Sequence, residues 1–497
     1  MYDQTTAATC FIDLATFSEL CGFLFGGPDA ITWFVAGVQK ANWFSYIPIQ
    51  LRHIGTVDFG QRNVAASVNR SADYVLHVWF RCQIPLIYLY QDGVAPGPNF
   101  GIFNDARLRW TNNLMHNLFE KVSITFNELV VEEFDNFFLD FNYEFRMPGA
   151  KRLGYRNQIG QILAMTDSVP VGAALGTGGY FSVPFPFWFC EDSGLALPVA
   201  ALPFNDIKIN YNIRPWQDLV VVYPGTSAFG GMGGPGTGRI ASTTDVYVFG
   251  STTQKPSIQD PQTGAHYAVV HNDERVKMGD APRDMLIRQV QSTQYAPFKD
   301  ISSKSSFDIR LSHAIVCFFY AAQNISLLSW SQTGGGEWSN YTTLPNVPFI
   351  PLYQANGLDP IAYTTLIYEN TVRLASGSDY FSLIHPNLLS DATPEETGYH
   401  WWSYSIKAWE VLKPAGCTDY SKLANVSIVH DPSPAAQASA GINTVSGQPE
   451  APDGVIIQYP NSSGIIVDFP QKYRHIFLAI NHNIARVANG SLGHPVL

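Results

Sequence analysis

At 497 residues the chain exceeds what one hydrophobic core usually holds, so two domains of roughly 200 to 250 residues are expected. Hydrophobic residues make up 46% and charged residues only 14%, well below the usual quarter, which points to a surface that is largely neutral, aromatic or covered by partners. The net charge of -11 comes without a basic stripe and argues against direct nucleic-acid binding, which depends on Lys and Arg neutralising phosphates.

Cys10, Cys21, Cys82, Cys190, Cys317 and Cys417 are scattered without a CxxC pair, several of them inside apolar runs such as AIVCFFYAA. They are expected to be reduced, structural thiols in a reducing compartment. No apolar run reaches the roughly 18 to 20 residues that span a bilayer, and no basic segment precedes an apolar core at the N-terminus. Neither export nor membrane insertion is therefore expected, and the chain should be made and kept in the cytosol.

In chain order, Phe11, Leu14, Phe17, Leu20 and Leu24 recur at helical spacing until Gly26 and Gly27, which predicts an apolar helical arm within the first 45 residues. From Ser71 the period falls to two. Tyr74, Leu76, Val78, Phe80, Cys82 and Ile84 occupy one face of a predicted long strand, with Val75, His77, Trp79, Arg81 and Gln83 opposite. A second strand is predicted over Lys121–Asn127, with Val122, Ile124 and Phe126 inward. Phe134, Phe138, Phe141 and Phe145 then predict one core-facing helix, ended by Pro148 and Gly149.

The most informative stretch is Phe185 to Trp216, FPFWFCEDSGLALPVAALPFNDIKINYNIRPW. It reads as an aromatic strand, a short acidic break, a Pro-interrupted apolar turn and a clean strand. In that strand Ile207, Ile209, Tyr211 and Ile213 alternate with Lys208, Asn210, Asn212 and Arg214, so one face enters a core and the other meets water or a neighbour. Nothing in it is arranged for chemistry.

After a strand at Leu219–Tyr223, Gly225 to Gly238 carries seven glycines and predicts a long exposed loop. Gly231, Gly233 and Gly236 satisfy GxGxxG there, but Pro235 lies inside and no helical pattern follows, so no helix terminus would face a phosphate. Asn272 to Arg283 clusters charges and predicts a short helix at a domain boundary, broken by Gly279 and Pro282. Strands resume with Phe307, Ile309 and Leu311, the run Ala314–Ala322, then Trp402, Tyr404, Ile406 and Ala408 alternating with Ser403, Ser405, Lys407 and Trp409. Ile465–Phe469 and His475–Ile480 complete the set. Strands separated by long loops in both halves suit a β-sandwich whose loops gather at its ends, the jelly-roll arrangement among others.

Sites for chemistry are not evident. There is no HExxH, Walker A, EF-hand or GxSxG pattern. The acidic pairs Glu132 with Glu133, Glu191 with Asp192 and Glu395 with Glu396 point to opposite faces if extended, and are expected to be solvated loop or edge charges. His400, His475, His482 and His494 lack ligand spacing, so no metal or other cofactor is expected. The sequons at Asn69, Asn324, Asn340, Asn425, Asn461 and Asn489 read as coincidences in a chain without a secretory signal.

Several blocks together resemble one family. They are FIDLATFSEL and TWF near the start, SADYVLHVWF, RWTNNLMHNLFEKVSITFNELVVEEFDNFFLDF, KRLGYRNQIG, PFPFWFCEDSGLALPVAALPFNDI, NDERVKMGDAPRDMLIRQVQ, FDIRLSHAI, DPIAYTTLIYENTVRL, GSDYFSLIHP, ETGYHWWSYSI and NHNIARVANGSLGHPVL. In this order they resemble the major capsid proteins of nucleocytoplasmic large DNA viruses, most closely the iridovirus and marseillevirus type. The resemblance implies an all-β chain of two consecutive eight-stranded jelly rolls, with a few short helices and long surface loops. The implied division is an N-terminal arm at 1–45, a first roll at 46–272, a linker at 273–284 and a second roll at 285–497.

It further implies no catalysis, a homotrimer of pseudo-hexagonal outline, and contacts with neighbouring capsomers, minor capsid proteins and a penton protein. The arm would lie near an inner viral membrane, and shells would assemble in the host cytoplasm. The residues it marks as structural determinants are Phe185, Trp188, Phe189, Asp192, Leu197, Pro198 and Asn205. Gly225–Thr244 and Gly334–Asn346 depart from the family pattern and are expected at exposed loop ends. The alternative is a carbohydrate-binding or carbohydrate-active β-sandwich using its 11 Trp, 24 Tyr and 32 Phe to stack on sugars.

Overall fold

Period-two alternation dominates the chain, and it builds sheets that close around apolar faces. The computed structural model describes residues 11–12, 14–25, 27–28, 30–37, 40–90, 106–223, 241–280, 282–298, 301, 303–325, 337–343, 358–439 and 471–493. The glycine-rich loop with Gly231, Gly233 and Gly236, the strand expected at Ile465–Phe469, Cys10, His494 and the sequon at Asn461 lie outside the described residues.

The first half forms an eight-stranded sheet from β1 (Phe44–Ile54), β2 (Val64–Ser67), β3 (Tyr74–Gln83), β4 (Phe119–Phe126), β5 (Leu129–Phe134), β6 (Tyr180–Phe185), β7 (Ile207–Ile213) and β8 (Gln259–Val270), in the order β5-β4-β7-β2-β1-β8-β3-β6. The long β1 is shared. Residues Phe44–Leu51 pair with β8, and Arg52–Ile54 pair with β2. Both halves carry inward side chains into one core, where Phe80 meets Phe119 at 5.2 Å and Phe119 meets Phe185 at 5.4 Å. Tyr211 lies 5.7 Å from Phe185 in the same group.

The second half begins with β9 (Arg283–Ser292) and β10 (Ser305–Asp308), followed by β11 (Ala314–Asn324), β12 (Ile361–Tyr368), β13 (Thr371–Gly377), β14 (His400–Ser403), β15 (Val426–Pro432) and β16 (Tyr473–Ala488). They form two facing sheets, β9-β16-β11-β14 and β10-β15-β12-β13. The chain is thus a double jelly roll, mostly strand with a few short helices. Residues from Phe44 to Leu497 form one compact unit and Met1–Trp43 another. Within the large unit one apolar cluster runs through both rolls, joining Phe80 and Trp188 to Phe319, Trp401 and Ile476.

Several expectations are corrected in detail. In β3 the pairing with β8 shifts register between His266 and Tyr267, and a bulge of this kind inverts the alternation. Val75 therefore turns into the core while Leu76 is only half-buried. The phenylalanine helix, α2, spans Asn136–Arg146 and excludes Phe134, which ends β5; the Asp135 side chain caps it by accepting from the Phe138 N–H at 3.0 Å. Pro148 ends α2 but opens another helix, α3 (Gly149–Ile159), which sequence reading missed. Here α1 denotes the short arm helix Glu19–Leu24, started by Ser18, so the arm pattern is interrupted after Phe17 rather than continuous.

The expected boundary helix spans Asn272–Asp280 and passes through Gly279. The strand expected through Ala408 stops at Ser403; Ile406 is 72% exposed and Ala408 is buried in a turn. Arg214, assigned to the polar face, is buried, with its guanidinium 3.6 Å from the centroid of the Trp338 ring. Among the described residues no helix is long and apolar enough to cross a membrane.

Candidate functional site: the 185–216 stretch and the seam between the rolls

Phe185 closes β6 inside the first core, and Phe187 and Phe189 stack with ring centroids 5.5 Å apart. Between them Trp188 is buried, and its backbone N–H donates to Glu132 Oε2 at 3.0 Å. Glu132 is only 4% exposed, not the solvated edge charge expected. Burial drives its pKa well above the usual carboxylate range, the Trp188 N–H pulls it back in part, and nearby Glu191 pushes it up again. From within the core this carboxyl fastens the aromatic turn through the Trp188 N–H.

Asp192 accepts from the Gly194 N–H at 2.7 Å and so starts the tight turn Ser193–Leu195. Leu197 then exchanges two backbone hydrogen bonds with Val75, at 3.0 and 2.9 Å, extending the sheet past the end of β6. Pro198, with φ of -80°, opens the next turn, Val199–Ala201. Asn205 reaches across to the second roll, where its Oδ1 accepts from the Leu492 N–H at 2.9 Å. Its own carbonyl accepts from Arg70 Nη2 at 2.7 Å. The seven motif residues therefore do not converge on a pocket; they turn the chain between β6 and β7 and set its edge against the second roll.

The seam continues through residues that sequence reading did not single out. Segment 337–343, between β11 and β12 of the second roll, enters the first roll instead of standing at an exposed loop end. Glu337 is fully buried and accepts from Arg109 Nη1 at 2.7 Å, from Thr111 Oγ1 at 2.8 Å and from the Asn112 N–H at 3.1 Å. Beside it Asp140 of α2 accepts from Ser339 Oγ at 2.6 Å and Tyr341 Oη at 3.2 Å. Asp140 also bonds His116 Nδ1 at 2.7 Å, while His116 Nε2 meets Tyr155 Oη at 2.8 Å.

Serine, histidine and aspartate thus meet, but in the wrong order for nucleophilic catalysis. Ser339 donates to the aspartate rather than to the imidazole, and all three side chains are buried. The geometry is that of a lock. The apolar stripe of α2 lies in the same seam, with Phe141 stacked 5.4 Å from Phe319 and Phe145 at 6.0 Å from Trp401.

A third element joins α3 to the loop before β14. Arg152 lies 3.5 Å from Glu144 and 3.1 Å from Glu395, Arg156 lies 2.6 Å from Glu395, and Arg152 donates to the Thr393 carbonyl at 2.7 Å. Burial raises Glu144 to about 7 despite the attraction of Arg152. A fourth joins Glu191 to Arg146 at 2.7 Å, with Arg283 donating to the Gly194 carbonyl at 2.9 Å. Of the acidic pairs, Glu395 is thereby a seam residue, whereas Glu132 and Glu191 bond within the first roll, to the Trp188 N–H and to Arg146. Glu337 and Glu395 stand outside the resemblance blocks, so no sequence signal marked either of them for the seam.

Two sandwiches joined by a buried seam define the class of double jelly-roll proteins. The chain matches the family model for the major capsid protein N-terminus over residues 32–249 and that for the large eukaryotic DNA virus major capsid protein over residues 274–493. It is 41% identical to the major capsid protein of Costelytra zealandica iridescent virus, with 98% of each chain covered, and 36% identical to that of Lymphocystis disease virus 1, with 99% of each covered. Its fold is similar to that in the PBCV-1 virus capsid (TM-score 0.65, 16% identity, 94% of this chain and 100% of that one) and to the Faustovirus major capsid protein (TM-score 0.62, 11% identity, 97% and 98%). This chain belongs to the family of major capsid proteins of large eukaryotic DNA viruses, of iridovirus type, and its role is structural, in the virion capsid.

Proposed function

We propose that the protein acts only by association: three copies form a capsomer whose six rolls give a pseudo-hexagonal outline, and these capsomers tile the flat facets of an icosahedral shell. One observation carries this reading. Each chain holds two similar sandwiches fixed side by side by the buried Arg109–Glu337 and Asp140 networks, so three copies supply six lobes of fixed geometry. Within this proposal we assign an arm at 1–45, a first roll at 46–272, a linker at 273–284 and a second roll at 285–497, and give Phe185, Trp188, Phe189, Asp192, Leu197, Pro198 and Asn205 the role of shaping the lobe edge.

Catalysis has no part in this reading. The arm, whose Phe11, Phe17, Leu20 and Phe23 are all more than 60% exposed, is assigned to the inner side, facing minor capsid proteins and an inner membrane. Penton protein would fill the vertices, the genome would make no direct contact, and assembly would take place in the host cytoplasm. The carbohydrate reading is not favoured: Trp110, Trp188 and Trp401 are buried in the rolls, and the exposed Trp33 and Trp43 belong to the arm.

Light scattering on the purified chain should give about 165 kDa, three times 55.0 kDa, and electron microscopy should show hexagonal plates. A stable monomer would overturn the proposal.

A further inference from the structure

We propose that the imidazole pair His430–His475, enclosed by aromatic rings at the centre of the second roll, is an acid-operated release: proton uptake there opens the second sandwich while the first stays folded. His430 on β15 and His475 on β16 face each other from opposite sheets with ring centroids 4.9 Å apart, and neither is more than 2% exposed. His475 stacks on Phe307 of β10 at 4.2 Å, with Phe298 edge-on at 6.4 Å. His430 lies on the Tyr320 ring of β11 at 5.0 Å, and that ring also stacks on His400 of β14 at 4.7 Å.

Polar support is scarce. His430 Nδ1 meets Thr364 Oγ1 of β12 at 3.1 Å, whereas Nε2 of His430 and Nε2 of His475 are buried without a hydrogen-bond partner. The titratable groups facing the pair are Tyr320 from β11 and His400 from β14; beyond His400 stands Asp359, already held by its Nε2 at 2.8 Å. Among the described residues no other carboxylate faces either ring. The neighbouring charges Asp431 and Arg474 are engaged by Lys304 and Gln323.

A charged imidazole in this site would lack both water and a counter-charge. Burial accordingly holds both rings far below the ordinary imidazole range, His475 at about 3. The buried histidine of the first roll is built differently: His116 has a carboxylate on one nitrogen and a phenol on the other.

The consequence has a definite sign. In the opened chain both imidazoles titrate near 6.5, while in the closed roll they stay neutral, so below that pH the opened state binds more protons and gains population. Each ring contributes about tenfold in the opening constant per pH unit, and the pair about a hundredfold, until the folded values are reached. In a shell this would loosen subunits inside an acidified compartment.

Hydrogen exchange of the full-length oligomer between pH 7.5 and 4.5, corrected for intrinsic rates, tests the proposal. Peptides covering β15 and β16 should lose protection steeply below about pH 6, while those covering β4 and β7 keep theirs. The double variant His430→Gln/His475→Phe should lose about a hundredfold per pH unit of that slope, and His475→Phe alone about tenfold. Equal protection at both pH values, simultaneous opening of both rolls, or an unchanged slope in the variants would overturn the idea. Exchange at the imidazole C2 position of the unaltered protein gives a check that needs no variant: midpoints below about 5 are expected, and midpoints near 6.5 would also overturn it.

Discussion

Glu337→Gln removes the charge from the buried pair that locks the second roll into the first. Glu337 and Arg109 are both fully buried, and the carboxylate serves Arg109, Thr111 and the Asn112 N–H together. A glutamine can accept at one oxygen only, and its amide turns a donor toward donors, leaving the guanidinium uncompensated. Breaking such a pair costs about 3–5 kcal/mol. Spread over the roughly 450 residues from Phe44 to Leu497, an unfolding entropy of about 2.1 cal/mol/K per residue makes this a fall in Tm of about 3–5 °C.

The assay is a double-mutant cycle with Arg109→Met, read by thermal unfolding and by exchange across 337–343. The double variant should be less destabilised than the sum of the singles, by about 2 kcal/mol or more. A loss below about 1 kcal/mol for Glu337→Gln, or strictly additive singles, would show that the pair is solvated and does not lock the seam.

Gly490→Ala should destabilise the C-terminal hairpin, because φ there is +76° and the added Cβ would stand 2.7 Å from the Phe204 ring; about 1–2 kcal/mol is expected, part of it recovered by Phe204→Ala in denaturant titrations. Glu144, raised to about 7 in the fold, favours the folded state while it keeps its proton. That contribution is complete below about pH 4.3 and is lost as pH rises through about 7, so in a difference curve Glu144→Gln should gain stability relative to the unaltered chain across this window, whatever slope the histidines impose.

Local chemistry was legible because it repeats along the chain. The alternation of Ile207, Ile209, Tyr211 and Ile213 against polar neighbours determines a half-buried strand wherever it lies, and all four side chains are buried in β7. The same holds for Val122, Ile124 and Phe126 and for the Phe138–Phe141–Phe145 stripe. The family blocks, running the length of the chain, carried the double jelly roll and the capsid role.

What the sequence did not disclose depends on contacts between distant segments. Glu337 and Arg109 lie 228 positions apart, and no spacing rule links them. Solvated charge is the default for a pair such as Glu132–Glu133, and only the arrival of the Trp188 N–H makes burial of Glu132 tolerable. The bulge that turns Val75 inward is set by pairing with β8, and the histidines look dispersed until β15 and β16 bring His430 against His475. A residue's periodic neighbours determine which face it occupies; whether that face meets water, a partner ring or an opposite charge is decided only when the two rolls close on each other.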